Sequence, residues 1–215
     1  MTKPILYDQT SETLQTVLRE LGQAAFRVKQ LEEGLYQHRY LSFLEFSTLP
    51  KSLLENLGEN FTLFPLELSK TITSRDKQTQ KFLFELHDGS YIESVLMHYE
   101  GRHTVCISTQ VGCPMGCVFC ATGGMGFIRN LTAGEILAQI IFAMRQLERE
   151  GMNLTNVVYM GMGEPFLNYD HVMSSIARLT DQKGLNFGAR RLTISTVAIL
   201  PHIHPSESGA QSACA

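Results

Sequence analysis

The sequence predicts an α/β protein, and three observations carry that reading. Apolar positions recur at helical spacing through roughly the first sixty residues, the pattern then turns to period two, and from residue 103 strands and helices alternate.

Leu14, Val17, Leu18 and Leu21 mark a first helix, and Ala24, Val28, Leu31 and Leu35 a second. A third starts near Pro50, buries Leu53, Leu54 and Leu57, and is expected to stop at Gly58. These pieces make a small helical domain over residues 1–64, a size that rarely stands without a neighbour. "KFLFEL" and "YIESVLM" then flank "HDGS". Asp-Gly between apolar runs signals a β-hairpin, read as a linker over 65–100. "HTVCIST" is a buried strand ahead of a cysteine-rich loop. The next helix opens on Thr132 and Glu135 in capping-box spacing and aligns Ile136, Ile140 and Met144 on one face. "TNVVYMG" is a second strand, "YDHVMSSIARL" a second helix of this region and "RRLTISTVAIL" a third strand. Residues 101–203 should therefore form a parallel sheet with right-handed crossovers. Such sheets bind ligands beyond the carboxyl ends of their strands, which puts the cysteine loop and "GMGEP" on one side. The last stretch, 204–215, has no periodicity and reads as an irregular tail.

With 44% hydrophobic and 18% charged residues the composition is that of a soluble globular protein. Apolar runs such as "ILAQIIFAM" stop short of a bilayer span, and "MTKPILYDQT" has no secretory signal, so a cytoplasmic location with no membrane partner is expected. The net charge of −3 offers no basic field, and the first hundred residues carry ten Lys and Arg against fourteen Asp and Glu. Any RNA would have to be held through local patches, of which Arg190 and Arg191 form the obvious doublet.

The chemistry is concentrated in "QVGCPMGCVFCATGGMGF". Cys113, Cys117 and Cys120 are too crowded for a disulfide framework, and in a reducing compartment such crowding means metal or redox chemistry. Thiolates suit iron–sulfur clusters and zinc. Three of them hold three irons of a cubane and leave the fourth open for a ligand. The competing assignment is a structural zinc with Cys106 as fourth ligand, although Cys106 lies inside a predicted strand. Tight glycines in "GMGEP" after a parallel strand would let backbone approach a ligand. From pattern alone, Glu93 is the solvent side of a strand, Ser195 an ordinary strand hydroxyl and Cys106 an ordinary buried cysteine.

C-x3-C-x-Phe-C resembles the radical S-adenosylmethionine signature. More narrowly, "CISTQVGCPMGCVFCATGGMGFIRNLTAGEI", "MGMGEPFLN" and "RRLTISTV" resemble the RlmN and Cfr family of RNA adenine methyltransferases, with likeness from the N-terminal helices to about Ile203. The resemblance implies the first half of a partial (β/α)6 barrel, preceded by an RNA-docking helical domain and the hairpin. It implies a [4Fe–4S] cluster on Cys113, Cys117 and Cys120, with S-adenosylmethionine on its open iron and against Gly163, Glu164 and Ser195. An electron donor such as flavodoxin would drive release of a 5′-deoxyadenosyl radical. One S-adenosylmethionine methylates a cysteine near the family's C-terminus, and a second activates that methyl for addition to adenine. Cys106 matches the cysteine that resolves the protein–RNA adduct, and Glu93 the proton acceptor. The implied function is methylation of C2 of adenine in 23S rRNA and tRNA by a monomer. The alternatives are Cfr-type C8 methylation, disfavoured by Pro165 where such relatives resemble the form with Ala, and a zinc-stabilised nucleic-acid-binding module. Family members are longer, so the chain is expected to be a truncated member, with a break near Ile203 and no turnover. Cys214 in "SACA" is not given the methyl-carrying role.

Overall fold

The computed structural model describes residues 3–197. Its strands are β1 (Leu66–Thr73), β2 (Thr79–Leu86), β3 (Tyr91–Tyr99), β4 (Arg102–Cys106), β5 (Gln110–Gly112), β6 (Phe127–Asn130), β7 (Asn156–Tyr159) and β8 (Leu192–Ile194). Six of them form one mixed sheet in the order β1-β2-β3-β4-β7-β8. β4, β7 and β8 run parallel, as the alternation of strand and helix requires, while β1 to β4 are antiparallel neighbours. The predicted hairpin forms around Gly89, whose φ of +76° suits a glycine turn. Because β3 is also hydrogen-bonded to β4, the hairpin continues the parallel strands' own sheet.

The helices are α1 (Ser11–Glu20), α2 (Phe26–Glu32, extended by a π turn over Glu33–Gln37), α3 (Lys51–Asn60), α4 (Ala133–Arg149) and α5 (Tyr169–Thr180). Thr132 and Glu135 form the expected capping box, side chain to backbone in both directions. α3 runs past Gly58, where it was expected to stop. Gly58 keeps ordinary helical geometry, and the Phe61 N–H still bonds the Leu57 carbonyl at 2.8 Å.

Burial explains how the layers meet. Along β2 and β3 every second residue is buried, and these residues face α4. The Phe142 ring of α4 packs edge-on against both Phe82 and Phe84, with centroids 5.0 Å from each. The same core takes in Leu14, Leu31 and Leu57 of the N-terminal helices and Val157 of β7. A short turn over Leu6–Asp8 joins the two parts. Asp8 accepts from the Gly134 N–H at 2.6 Å, its carbonyl accepts from Arg178 at 2.9 Å, and the buried Tyr7 hydroxyl donates to the Leu35 carbonyl.

Two features were not expected from the sequence. β1 is an edge strand exposed along nearly its whole length, so no alternation of burial marks it. β5 and β6 are three and four residues long and pair only with each other. The parallel strands are also shorter than their apolar runs, because Ser108, Thr109 and Gly161 leave the sheet to bond one another's loops. The predicted tail, with Ile203 and Cys214, lies outside the described residues.

Candidate active site

Two loops leave the carboxyl ends of β4 and β7 and are stitched together. The Gly161 N–H donates to the Ile107 carbonyl at 3.0 Å, and the Thr109 and Gln110 N–H groups both reach the Met162 carbonyl. Ser108 Oγ accepts from the Met162 N–H at 2.9 Å and donates to the Glu93 carbonyl at 2.6 Å, so one hydroxyl ties β3, β4 and the "GMGEP" loop. Gln110 Oε1 accepts from the Glu164 N–H at 2.8 Å, while its amide nitrogen donates to Asn130. Gly163 explains itself here. Its φ is +103°, and a Cβ would stand 2.6 Å from the Gln110 side chain. The close approach expected of this glycine is made to protein.

Beneath the loops sits Gln139 of α4, fully buried. Its Oε1 accepts from Ser94 Oγ at 2.7 Å and the Ser108 N–H at 2.8 Å, and its Nε2 donates to the Ser108 carbonyl at 3.0 Å. Asn168 likewise donates to the carbonyls of Thr109 and Leu131, both at 2.8 Å. Sequence reasoning missed both residues. A polar side chain inside the apolar run "ILAQIIFAM" was the available signal for Gln139.

Glu164 is buried, and its carboxylate is fully engaged. It accepts from the Phe166 N–H at 3.1 Å, from Thr196 Oγ1 at 2.6 Å and from the Val197 N–H at 3.1 Å. It therefore ties "GMGEP" to the chain leaving β8. Ser195, two residues past Thr193, is exposed at that same edge.

The sheet's second face collects the other predicted residues. Register puts Lys81, Val95, Cys106, Val158 and Thr193 in one row across five strands, all half-buried. Glu93 precedes Val95 by two residues and shares its face, so Glu93 and Cys106 flank the same valine. Ser195 continues that face beyond β8. Lys81 Nζ lies 2.8 Å from Glu93, a pair that keeps Glu93 next to a cation. Burial pushes the Cys106 thiol above the ordinary cysteine pKa, with the Met160 N–H pulling weakly the other way.

Cys113, Cys117 and Cys120 share the loop between β5 and β6, the first two half-buried and Cys120 exposed. Among the described residues no three His, Cys, Asp or Glu side chains are drawn together at ion-holding distance. Cys106 ends β4, while the trio lies in the loop between β5 and β6. The loop fits an iron–sulfur cluster by its donor chemistry and its room. Added Cβ atoms at Gly116, Gly124 and Gly126 would meet nothing within 4 Å, and Phe119 is 90% exposed. Cys120 is lowered towards thiolate by the Gly123 N–H, helped by Thr122. Arg129 of β6 closes the rim, gripping Glu135 with two bonds of 2.8 Å and Asp88 of the hairpin turn at 2.5 Å.

The thiolate trio of the β5–β6 loop and the glycine loop after β7 both lie within residues 107–207, which match the Radical SAM superfamily. Methyltransferases of that superfamily use a [4Fe–4S] cluster and S-adenosylmethionine. More narrowly, the chain is similar to RlmN. It is 44% identical over 202 residues to the "Probable dual-specificity RNA methyltransferase RlmN" of Bacillus velezensis, covering 94% of this chain and 55% of that protein. It is 46% identical over 195 residues to the protein of the same name from Pseudothermotoga lettingae, covering 90% and 56%. A crystal structure of a radical SAM methyltransferase from Sphaerobacter thermophilus superimposes with a TM-score of 0.86 at 44% identity, over 90% of this chain and 57% of that one. The chain thus spans about half the length of the relatives it matches.

Proposed function

We propose that this chain supplies the cluster-binding and S-adenosylmethionine-binding part of an RNA methyltransferase acting on C2 of adenine in 23S rRNA and tRNA. The observation that carries the reading is the placement of Glu93 and Cys106 on one open sheet face, in a chain that also holds Cys113, Cys117 and Cys120 on the loop between β5 and β6. Cys113, Cys117 and Cys120 would hold the cluster, which would supply one-electron reduction of bound S-adenosylmethionine. Several of the remaining tasks fall to the chain's own residues. Gly163 and Glu164 shape the loop against which S-adenosylmethionine rests, and Ser195 offers an exposed hydroxyl on the same side. Cys106, whose thiol is kept protonated by burial, is read as the cysteine that resolves the protein–RNA adduct once a base has taken its proton. Glu93, paired with Lys81, offers a carboxylate to take a proton from the adenine.

Residues 1–64 are read as the RNA-docking part, and the protein as a cytoplasmic one served by a donor such as flavodoxin. No helix among the described residues is long and apolar enough to cross a membrane. Pro165, the first residue of the turn after Glu164, and the RlmN names of the relatives favour C2 over C8. Purifying the chain anaerobically and assaying iron, acid-labile sulfide and binding of S-adenosylmethionine tests the proposal. About four irons and four sulfides per chain, lost on Cys117→Ala, with S-adenosylmethionine bound, is the expected result. A single zinc ion without sulfide, or no binding of S-adenosylmethionine, overturns it.

A further inference from the structure

The β1–β2 hairpin carries a charge that runs against its surroundings. Residues 69–81 hold Lys70, Arg75, Lys77 and Lys81 against the single acid Asp76, whereas the rest of the first hundred residues hold six cations against thirteen acids. Asp76 offsets one of them, leaving a net charge of +3 over residues 69–81. It accepts from Ser74 Oγ at 2.5 Å and the Gln78 N–H at 3.0 Å, and these bonds, Ser74's foremost, hold its pKa below the usual aspartate value. The tip is thereby fixed, with Lys77 at a φ of +60°. Lys70, Arg75 and Lys77 are exposed and form no ion pair among the described residues.

Register then decides which way the strand cations look. Lys70 pairs with Leu83, which pairs with Glu93; Ile72 pairs with Lys81, which pairs with Val95, itself opposite Cys106. Lys70 and Lys81 therefore stand on the face that carries Glu93 and Cys106, and the bulge after Leu68 sets that phase. With strands about 4.8 Å apart, β1 lies about 14 Å from β4. Lys70 and Lys81 thus stand on the tip side of the open face, with Glu67 and Glu85 on the same face towards the hairpin's base, so the cations gather from Lys70 to the β1–β2 tip.

We propose that the β1–β2 hairpin is a rail for the phosphate backbone of the RNA substrate, with Lys70, Arg75 and Lys77 holding phosphates while a base reaches Cys106. The inference rests on the RNA methyltransferase reading above. Flexible Lys and Arg side chains without acid partners suit phosphates and carry no base preference. Lys29 and Lys51 differ, since each sits four residues from a glutamate partner.

The test is fluorescence anisotropy of the full 215-residue chain with a labelled stem-loop RNA bearing an adenine in its loop, between 50 and 200 mM salt. The triple variant Lys70→Gln, Arg75→Gln, Lys77→Gln should bind at least about tenfold more weakly at low salt, with the salt slope reduced by about two to three. Arg149→Gln with Lys183→Gln, exposed and outside both the helical domain and the hairpin, should match the parent, and thermal melts should show the triple variant folded. Arg75→Gln alone, at the exposed tip, gives a smaller loss in the same direction and serves if the triple variant melts early. Equal affinity and slope in parent and variants overturn the rail and leave the RNA reading standing. A parent that shows no salt-dependent RNA binding overturns both. Parent binding to anionic vesicles and not to RNA would reassign these cations to a membrane surface and overturn the rail.

Discussion

The two faces of the central sheet are made by the same strands and do opposite work. On one, Phe82, Phe84, Ile92, Leu96, Val105 and Val157 are wholly or almost wholly buried under α4 and its neighbours. On the other, Lys81, Glu93, Val95, Cys106 and Val158 are only half-covered. The closed face holds the fold together by removing apolar area from water. The open face keeps ionisable and nucleophilic groups within reach, at the cost of leaving side chains without packing partners. Stability and chemistry are thus separated by the two-residue period of a strand, and substitutions one position apart should read out different properties.

The largest expected effect tests that separation directly. Phe84→Ala empties a space against Phe82 and Phe142 and should cost about 3–5 kcal/mol in urea unfolding. Val95→Ala, on the open face, should cost about 1 kcal/mol or less. Comparable losses at the two positions would mean that the second face is covered as well, and the contrast would fail.

How much of this was legible beforehand follows the same division. The closed face was read correctly because burial imprints a period on the sequence, as in "KFLFEL" and "YIESVLM". The two predicted loops were placed on one side by topology alone, and the capping box at Thr132 named the start of α4. β1 escaped notice because its residues are nearly all exposed and carry no burial pattern. The ties made by Ser108, Gln110, Gln139 and Asn168 were invisible for another reason. Each joins residues 31 to 59 positions apart in the chain through a single polar side chain, and no periodicity encodes such a bond. Glu93 looked like a solvent-facing strand residue, and it is one; only the register with Cys106 gives it a setting.

Gln139 sharpens the comparison, because it is where the closed face supports the open one. Gln139→Ala leaves the Ser94 hydroxyl and both backbone groups of Ser108 buried without their partner. The expected loss is about 2–3 kcal/mol, smaller than for Phe84. The loss should be accompanied by faster hydrogen exchange at Met162, whose N–H depends on Ser108 Oγ. A stability loss with unchanged Met162 exchange would show that the buried amide serves packing alone.

The smallest effect lies at the rim between the faces, where Arg129 joins the hairpin turn to the start of α4. Burial by itself would raise the Asp88 pKa, yet hydrogen bonds from Arg129 and Ser90 outweigh it and hold the carboxyl well below the usual aspartate range. A depressed folded-state pKa contributes stability that is fully present above the unfolded value of about 3.9. It is lost as pH falls from there towards the folded value. Asp88 is 31% exposed, so solvent screening limits the contribution to about 1 kcal/mol at pH 7. Asp88→Asn should therefore unfold at lower urea than the parent at pH 7, and the gap should narrow steadily below about pH 4. A gap that persists undiminished at pH 2.5 would assign the effect to the shape of the turn and not to the Arg129 pair. The rim would then be held by Glu135 alone, whose two bonds to Arg129 lie within the closed side of the sheet.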